Sequence, residues 1–554
     1  MIRLKLKKQL EKLGKNASEV SVDTKINRNT INSLVNGKVE GIRFSTLDKI
    51  CLTYGLDLTD LIDFERPLEI ARRELYKQEV EMVPFSIWLG MIALSQMNIS
   101  LGGRTQDFGR MDGYFRKNYT VAYWDLAAMN SFAKIFYSLY SKPEKIDAYY
   151  AEFQVVASEI ENLYDSLWGE QLSELSELSF SDILQATKRS YITFWLKSFF
   201  IETFDAGFDQ EEITRISGKY GFSKKEIEIL TTPVELTLDM KQKSAFLTIL
   251  AKALNKKNPP QYLKRHLVED IEVYKRQYDF TRSNYAEVYH LENTEIFQEA
   301  ERLFKNKDLI KTELKRLERY GEIHGAEIRK VLKKYHLKKN PLYFFNVLTA
   351  FREHRKTVNM KGFHVSDFIL TYLELKTGIP KKYLKFLSFD EIDNALKGLV
   401  SNKTLQNRYE DGILVSITRG KVKTVEGKEA RSIIDDLEEQ YLNKSTNALI
   451  KGFTASQGYA KGVARLILTD KDFEKFRPGD ILVTSMVRAE YVPLVEKSAA
   501  VVAGEGGISS YSAVVSRSFG KPCIIGVGNA TSVIQDGDLL EVRASHGTVR
   551  ILKK

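Results

Sequence analysis

Residues 506–514 read Gly506-Gly507-Ile508-Ser509-Ser510-Tyr511-Ser512-Ala513-Val514. An apolar run at 499–504 precedes this stretch, and another at 522–527 follows it. Two further apolar runs, at 479–484 and 536–542, also contain or adjoin glycine. Short apolar runs between glycine turns are typical of buried β-strands. We therefore predict a β-rich domain at the C-terminal side of the chain, with 506–514 as one of its loops.

The order and spacing of these blocks resemble the swivelling domain of phosphoenolpyruvate synthase and pyruvate phosphate dikinase. Scaffold positions of that family are kept at Arg517, Pro522 and Gly526. The resemblance implies a compact β/β/α domain, which we place at 446–554.

In that family the phosphohistidine loop has the sequence pattern Gly-Gly-x-Thr-Ser-His-Ala-Ala-Ile. Here Tyr511 occupies the position of the histidine. An imidazole can carry a phosphoryl group reversibly, whereas a phenol is a poor nucleophile until it loses its proton near pH 10. We therefore interpret the loop as a degenerate phosphohistidine loop. Its residues are Gly506, Gly507, Ser509, Ser510 and Tyr511.

Other family positions also differ. The family's Thr-x-Pro-Asp-Tyr segment appears here at 487–491, and its Thr-Asp before the glycine pair at 503–505. No segment resembles the nucleotide-binding or phosphoenolpyruvate-binding domains with which a swivelling domain works. We therefore expect no catalytic residue, no cofactor and no enzymatic activity. The alternatives are a phosphotransferase component in which Tyr511 or His546 accepts a phosphoryl group from a separate protein, and a protein-binding adaptor.

The N-terminal segment has the pattern of several short helices. Apolar residues at 2, 6, 10 and 13 recur at helical spacing, and Asn16 with Glu19 forms a capping box. Asn27 can cap a helix over 28–35, 45–48 can cap another, and 58–62 makes a short fifth. Five helices with a tight turn between the second and third describe a helix-turn-helix domain, which we place at 1–65.

The same residues resemble the lambda-repressor/Cro-like family. The likeness covers 18–21 in the second helix, 26–31 in the turn and recognition helix, and 42–50 in the fourth helix. In that family the third helix enters the major groove of double-stranded DNA. The resemblance implies base contacts from the third helix and phosphate contacts from nearby basic side chains. The predicted DNA-binding residues are Arg28, Asn29, Thr30, Asn32, Ser33, Lys38 and Arg43.

The long middle has a dominantly helical pattern, which we divide into helical domains at 66–204 and 205–445. Segments such as 222–233 and 383–392 resemble the region that precedes the swivelling domain in phosphoenolpyruvate-synthase-like proteins. The polar cluster at 352–355 contains Arg352 and Arg355, which could grip an anion from one helix face. The alternative is a set of structural ion pairs between packed helices.

Composition places the chain among ordinary globular proteins. The 554 residues are 43% hydrophobic and 28% charged, and the formal charge is +10, from 83 basic and 73 acidic residues. A basic balance permits nucleic-acid binding without demanding it. Two distant cysteines, no apolar leader and no span-length apolar run predict a cytoplasmic protein without membrane contact. We see no metal-ligand spacing and predict no metal site.

Together these features predict a mainly α multidomain protein. It has a five-helix helix-turn-helix domain, a long helical middle and a C-terminal swivelling domain. The function that fits best is a sequence-specific DNA-binding transcriptional regulator with a catalytically inactive, phosphotransferase-derived sensing or interaction module. A single domain of this kind reads only a few base pairs, so a homodimer is expected. A protein or a small anionic ligand is the expected partner of the module.

Overall fold

The computed structural model describes residues 2–553 except 5, 37–41, 58–60, 65–73, 97–98, 102–103, 107–108, 171, 419–420, 444–449, 509 and 529. The chain divides into two compact units, Met1–Arg72 and Arg73–Lys554. Each unit is described by itself below.

The first unit is a small helical bundle whose described helices are Leu6–Lys12, Ala17–Thr24, Arg28–Val35 and Phe44–Tyr54. Its core is built from the apolar faces of these helices, and the buried members include Leu6, Leu10, Val20, Ile31, Leu34, Leu47 and Ile50. The predicted capping box is present, because Asn16 accepts from the Glu19 amide and Glu19 accepts from the Asn16 amide. Asn27 likewise caps the third helix.

Three details of this unit differ from the prediction. Ile2 belongs to strand β1 (Ile2–Leu4), which pairs antiparallel with β2 (Ile62–Phe64), and not to the first helix. The fourth helix begins at Phe44 without a side-chain cap, one residue before the predicted cap. The predicted fifth helix, 58–62, lies outside the described residues at 58–60; Leu61 is helical, and Ile62 already belongs to strand β2. Pairing of the two ends of the segment overrides the helical periodicity, which is a purely local signal.

The second unit has a large helical body. Its longest helix, Tyr343–Thr377, runs through the core and presents buried Phe345, Phe351 and Phe363 to its neighbours. The other described α-helices are Pro84–Gln96, Leu126–Tyr140, Pro143–Leu167, Glu177–Ser198, Phe200–Thr203, Asp209–Tyr220, Lys224–Thr231, Leu238–Ala253, Pro259–His266, Val268–Tyr278, Asn293–Phe304, Lys307–Glu318, Tyr320–Lys334, Lys381–Leu384, Ile392–Leu396, Asn402–Asp411, Gly427–Asn443, Val492–Lys497, Tyr511–Ser518 and Ala530–Val533.

A π-helical segment, Phe204–Phe208, joins two of these helices. Gly207 within it has a φ of +117°, which favours glycine. The segment brings Asp205 and the following Asp209 to the same arginine, Arg352. Single-turn π segments are frequent at functional sites.

The predicted helical middle also contains an antiparallel sheet, which corrects the helical interpretation there. Its order is β3-β7-β6-β8-β9, with β3 Leu75–Glu81, β6 Met111–Arg116, β7 Tyr119–Asp125, β8 Ile413–Thr418 and β9 Lys421–Glu426. A two-stranded pair, β4 (Ile99–Leu101) and β5 (Arg104–Gln106), lies near it in sequence. Strands β6 and β8 come from positions about 300 residues apart, so one sheet joins both predicted helical domains.

The C-terminal part of the second unit contains an eight-stranded mixed sheet with the order β10-β17-β16-β12-β13-β14-β15-β11. The strands are β10 Ile450–Lys451, β11 Phe453–Ser456, β12 Tyr459–Leu466, β13 Ile481–Thr484, β14 Ala500–Ala503, β15 Cys523–Ile525, β16 Leu539–Arg543 and β17 Thr548–Lys553. Successive residues of β13 alternate between two core clusters, with Ile481 and Val483 in one and Leu482 in the other. Both faces are therefore covered, which explains the continuous apolar runs.

Within the described part of the chain, every helix is too short or too polar to cross a membrane.

Candidate functional site

The third helix of the first unit, Arg28–Val35, has one buried face and one exposed face. Ile31 and Leu34 are buried in the bundle. The predicted base-contacting residues Arg28, Asn29, Thr30 and Asn32 are exposed, and Ser33 is half-buried. These side chains therefore lie on the solvent side of the helix, and their contact with DNA stays a prediction.

The turn before this helix is fixed by local hydrogen bonds. Ser21 Oγ donates to the Ile26 carbonyl at 2.6 Å, and Lys25 takes a left-handed conformation that ends the second helix. Of the predicted DNA-binding residues beyond the third helix, Arg43 is exposed and Lys38 lies outside the described residues.

The loop at 506–514 has the geometry of a strand-to-helix turn. Ser510 caps the helix Tyr511–Ser518 by accepting from the Ala513 amide, so Tyr511 is the first helical residue. Gly506 has a φ of +101°, and a Cβ on Gly507 would lie 2.1 Å from the Asp209 carboxylate. The positive φ therefore favours glycine at position 506, and the close approach of the helical body leaves no room for a side chain at position 507. Ser509 lies outside the described residues.

Tyr511 is docked against the helical body of its own unit. Its hydroxyl donates to Asp239 Oδ2 at 2.9 Å, and the side-chain nitrogen of Lys356 lies over its ring. Burial lowers the pKa of Lys356 to about 7, although the Glu353 and Asp239 carboxylates oppose this shift. Burial, reinforced by the Asp239 and Glu353 carboxylates, raises the pKa of Tyr511 well above its ordinary value. The phenol is therefore neutral at physiological pH in this arrangement.

The polar cluster at 352–355 makes ion pairs between packed helices. Arg352 lies 2.5 Å from Asp205 and 3.3 Å from Asp209, and Arg355 lies 2.7 Å from Glu202. The structure thus shows the second interpretation of this cluster, a set of ion pairs between packed helices. Both arginines nevertheless line the cavity beneath the Tyr511 loop.

Arg488 is a buried cation that links the C-terminal sheet region to β3. It is 3% exposed and lies 3.2 Å from Glu81 and 3.1 Å from Glu490. Burial raises the pKa of Glu81 to about 7 although Arg488 opposes the shift. Glu505, directly before the glycine pair, accepts from the Glu79 amide at 3.0 Å, and burial raises its pKa well above the usual range.

A cavity of about 90 Å³ lies between the Tyr511 loop and the helical body. This is well above the ~10–15 Å³ that one water needs. Four basic side chains line it, Arg352, Arg355, Lys356 and Arg488, against two acidic ones, Asp205 and Glu505. Among the described residues, Arg355 Nη1 and Lys356 Nζ are buried without a hydrogen-bond partner. Basic side chains thus outnumber acidic ones in the lining, and Glu505 Oε2 is also buried without a hydrogen-bond partner among the described residues.

A second polar cluster, which sequence reasoning missed, consists of Asp279, His290 and His364. The three residues come from a helix end, a loop and the middle of the longest helix. Their separations of 11 and 74 residues match no metal-ligand spacing, so only the folded chain reveals the group.

Comparison with protein families identifies two parts of the chain. Residues 5–67 match the Cro/C1-type HTH DNA-binding domain. Residues 476–547 match the mobile domain of the PEP-utilising enzymes.

Curated relatives match the C-terminal part. A probable phosphoenolpyruvate synthase of Staphylothermus marinus is 44% identical over 103 residues, which are 18% of this chain and 12% of the relative. A probable phosphoenolpyruvate synthase of Archaeoglobus fulgidus is 36% identical over 146 residues, 25% of this chain and 19% of the relative. An uncharacterized phosphotransferase of Bacillus subtilis is 30% identical over 182 residues, 31% of this chain and 21% of the relative. The chain thus spans about a fifth or less of the length of these relatives.

These relatives contradict the prediction that the chain is not an enzyme. Several proteins that share its C-terminal part are named phosphoenolpyruvate synthase, which points to an enzyme even where Tyr511 replaces the family's histidine. The prediction rested on Tyr511, on the differences at 487–491 and 503–505, and on the lack of segments that resemble the nucleotide-binding and phosphoenolpyruvate-binding domains. The chain carries a Cro/C1-type helix-turn-helix DNA-binding domain at 5–67 and the mobile domain of the PEP-utilising enzymes at 476–547.

Proposed function

We propose that this protein is a sequence-specific DNA-binding transcriptional regulator whose second unit binds a small anionic ligand. The observation that carries the DNA-binding part is the exposed face of the helix Arg28–Val35. Arg28 can donate two hydrogen bonds to guanine, and Asn29 or Asn32 can pair with adenine. These side chains lie on the solvent side of a helix that Ile31 and Leu34 hold in the bundle.

The regulator acts as a homodimer in this proposal. One recognition helix contacts only a few base pairs, and two copies related by a twofold axis would read two half-sites about 34–36 Å apart. Light scattering of the full chain should then give about twice the monomer mass of 63.6 kDa. A monomer at the concentrations where it binds DNA would contradict this part.

The DNA-binding proposal is tested by selecting a binding site from random duplexes and measuring fluorescence anisotropy with the full-length protein. Arg28→Ala and Asn29→Ala should each weaken specific binding by about tenfold or more, because a good base contact is worth ~1–3 kcal/mol. Lys49→Ala, an exposed basic residue on the fourth helix, is the matched control and should bind nearly as wild type. Equal affinity of all variants would refute the recognition-helix assignment.

The ligand part rests on the cavity beneath the Tyr511 loop. A group with two or more anionic oxygens would give Arg355 Nη1 and Lys356 Nζ the hydrogen bonds that the described residues do not supply. Such a ligand would bridge the C-terminal sheet region and the helical body, because Arg488 and Ser512 face it from one side and Arg352 from the other.

Calorimetry with inorganic phosphate and with phosphoenolpyruvate tests the ligand part. Binding to wild type should weaken at least tenfold in Arg355→Met, which keeps most of the apolar stem. Arg431→Met, on the exposed side of another helix, should leave it unchanged. Failure of both probes to bind wild type would remove the anion from the proposal and leave DNA binding untouched.

A second candidate function, a phosphotransfer reaction, is favoured by the relatives and by the pairing of Tyr511 with Asp239. Their oxygen atoms are 2.9 Å apart, which is within the reach of a nucleophile and its general base. In that reaction Tyr511 Oη would bond to the phosphorus of the donor, the phosphorus–oxygen bond to the donor would break, and the phenol proton would pass to Asp239. His546, exposed in the turn Ala544–His546, is the other acceptor.

Incubation with labelled phosphoenolpyruvate or ATP, with and without a cell extract as a source of phosphoryl donors, tests this second candidate. Label on Tyr511 or His546, lost in Tyr511→Phe or His546→Gln respectively, would support phosphotransfer. Label on neither residue would exclude this route.

A further inference from the structure

Asp279, His290 and His364 bring three potential metal-ligand atoms to one point of the second unit. These atoms all lie within 4.8 Å of one another. His290 Nδ1 is 2.6 Å from Asp279 Oδ2, and His364 Nδ1 is 3.8 Å from the same oxygen. A tetrahedron with bonds of ~2.0–2.1 Å places adjacent ligand atoms about 3.3 Å apart, so small side-chain shifts suffice to complete it.

Ser283 contacts the other ring nitrogen of His364. Ser283 Oγ lies 2.8 Å from His364 Nε2, accepts from the Tyr289 amide at 3.1 Å and lies 3.3 Å from the Tyr289 carbonyl. In the tautomer with the proton on Nε2, Ser283 accepts that proton and Nδ1 presents a lone pair towards Asp279, as a metal ligand requires. A lone pair that faces a carboxylate is repulsive without a cation between them.

The second oxygen of the Asp279 carboxylate is also hydrogen-bonded. Asp279 Oδ1 accepts from the Leu291 amide at 2.6 Å, which leaves Oδ2 directed at the two imidazoles. Hydrogen bonds of this kind, between His364 and Ser283 and between the Leu291 amide and Asp279, are the outer contacts that orient metal ligands in proteins.

The cluster lies at the edge of a cavity of about 470 Å³. Asp279 and His364 are 1% and 8% exposed at their side chains, whereas His290 is 61% exposed. Two ligands are thus fixed in the interior, and the third can approach from the solvent side. Three protein ligands beside a cavity leave a fourth coordination position for water or a small molecule.

We propose that Asp279, His290 and His364 bind one divalent transition-metal cation, of which Zn²⁺ fits best. Two imidazoles disfavour Mg²⁺ and Ca²⁺, which prefer oxygen ligands. Each imidazole would bind through Nδ1, and His290 would keep its proton on Nε2. The fourth position faces the cavity, so the site is of the open kind.

The test uses full-length protein freed of metal by chelation, with Zn²⁺ titrated in competition with a chromophoric chelator. We expect one Zn²⁺ per chain, at least tenfold weaker binding in His364→Ala and Asp279→Asn, and about tenfold weaker binding in Ser283→Ala. Asp279→Asn keeps an oxygen for the Leu291 amide and so preserves the fold, which circular dichroism checks. His266→Ala, at an exposed histidine, is the matched control.

Substitution with Co²⁺ supplies a spectroscopic readout. Wild type should show a visible absorption band typical of four-coordinate Co²⁺, and His364→Ala should lose it while His266→Ala keeps it. Absence of a one-to-one Zn²⁺ complex in wild type, or unchanged binding in both His364→Ala and Asp279→Asn, would overturn the proposal.

Discussion

The Tyr511 hydroxyl donates a 2.9 Å hydrogen bond to Asp239 Oδ2, which joins the swivelling-type loop to the helix Leu238–Ala253. The position that carries a histidine in the phosphoenolpyruvate-synthase-like pattern is here a contact between the loop and the helical body. The side-chain nitrogen of Lys356 completes this contact from the ring face. The loop therefore contributes to the packing of the second unit, whatever chemistry it performs.

Tyr511→Phe should destabilise the second unit by about 1–3 kcal/mol, because a buried carboxylate loses its donor. Thermal unfolding of the full chain measures the effect. Tyr459→Phe is the matched control, since the Tyr459 hydroxyl contacts Glu541 at 3.3 Å on an exposed surface. A loss at Tyr511 no larger than that at Tyr459 would show that the contact does not stabilise the fold.

Gly507→Ala should open the interface between the loop and the helical body. The added Cβ would lie 2.1 Å from the Asp209 carboxylate, so the loop or the π-helical segment must move, at a cost of about 1–3 kcal/mol. Hydrogen exchange should rise in both segments. Gly218→Ala, in a helix with open space around the added carbon, should be neutral or slightly stabilising. Unchanged exchange in Gly507→Ala would contradict the observed close approach.

The stability of the second unit should fall as pH rises from about 4.5 to 7 through the contribution of Glu81. Burial raises the pKa of Glu81 from 4.5 to about 7, so the folded chain holds a proton there that the unfolded chain releases. The contribution is fully present below pH 4.5 and is lost as pH rises through 7, and it amounts to at most about 3 kcal/mol.

Glu81→Gln isolates this contribution, because glutamine does not titrate. The difference in melting temperature between pH 5 and pH 8 should shift towards higher stability at pH 8 in the variant relative to wild type. Glu144→Gln, at an exposed position, should reproduce the wild-type pH profile. Parallel profiles for wild type and Glu81→Gln would show that Glu81 has no raised pKa.

Local features of the fold could be predicted from the sequence. The caps at Asn16 and Asn27 act within three residues, and the C-terminal strands are marked by glycine-bounded apolar runs, so short-range chemistry determines both. The sheet that pairs Met111–Arg116 with Ile413–Thr418 could not be predicted in this way, because its pairing spans about 300 residues. Tyr119–Asp125 and Ile413–Thr418, rich in aromatic or β-branched residues, were local signals of that sheet.

The candidate sites also contain some residues that local sequence predicts and others that only the folded chain brings together. The exposed face of the helix Arg28–Val35 follows from its own periodicity, and Gly506 and Gly507 follow from the loop pattern. The partners Asp239 and Lys356 of Tyr511 come from elements more than 150 residues away, and the cluster of Asp279, His290 and His364 exists only in the folded chain. Tertiary packing, not local sequence, determines both sets.

The most direct test of the central claim, sequence-specific DNA binding by the helix Arg28–Val35, is to map genomic binding sites of the tagged protein and of its Arg28→Ala, Asn29→Ala double variant. We predict discrete sites that share a motif of two related half-sites in wild type, and their loss in the double variant at equal protein level. Absence of discrete sites in wild type, or the same sites in the double variant, would contradict the account.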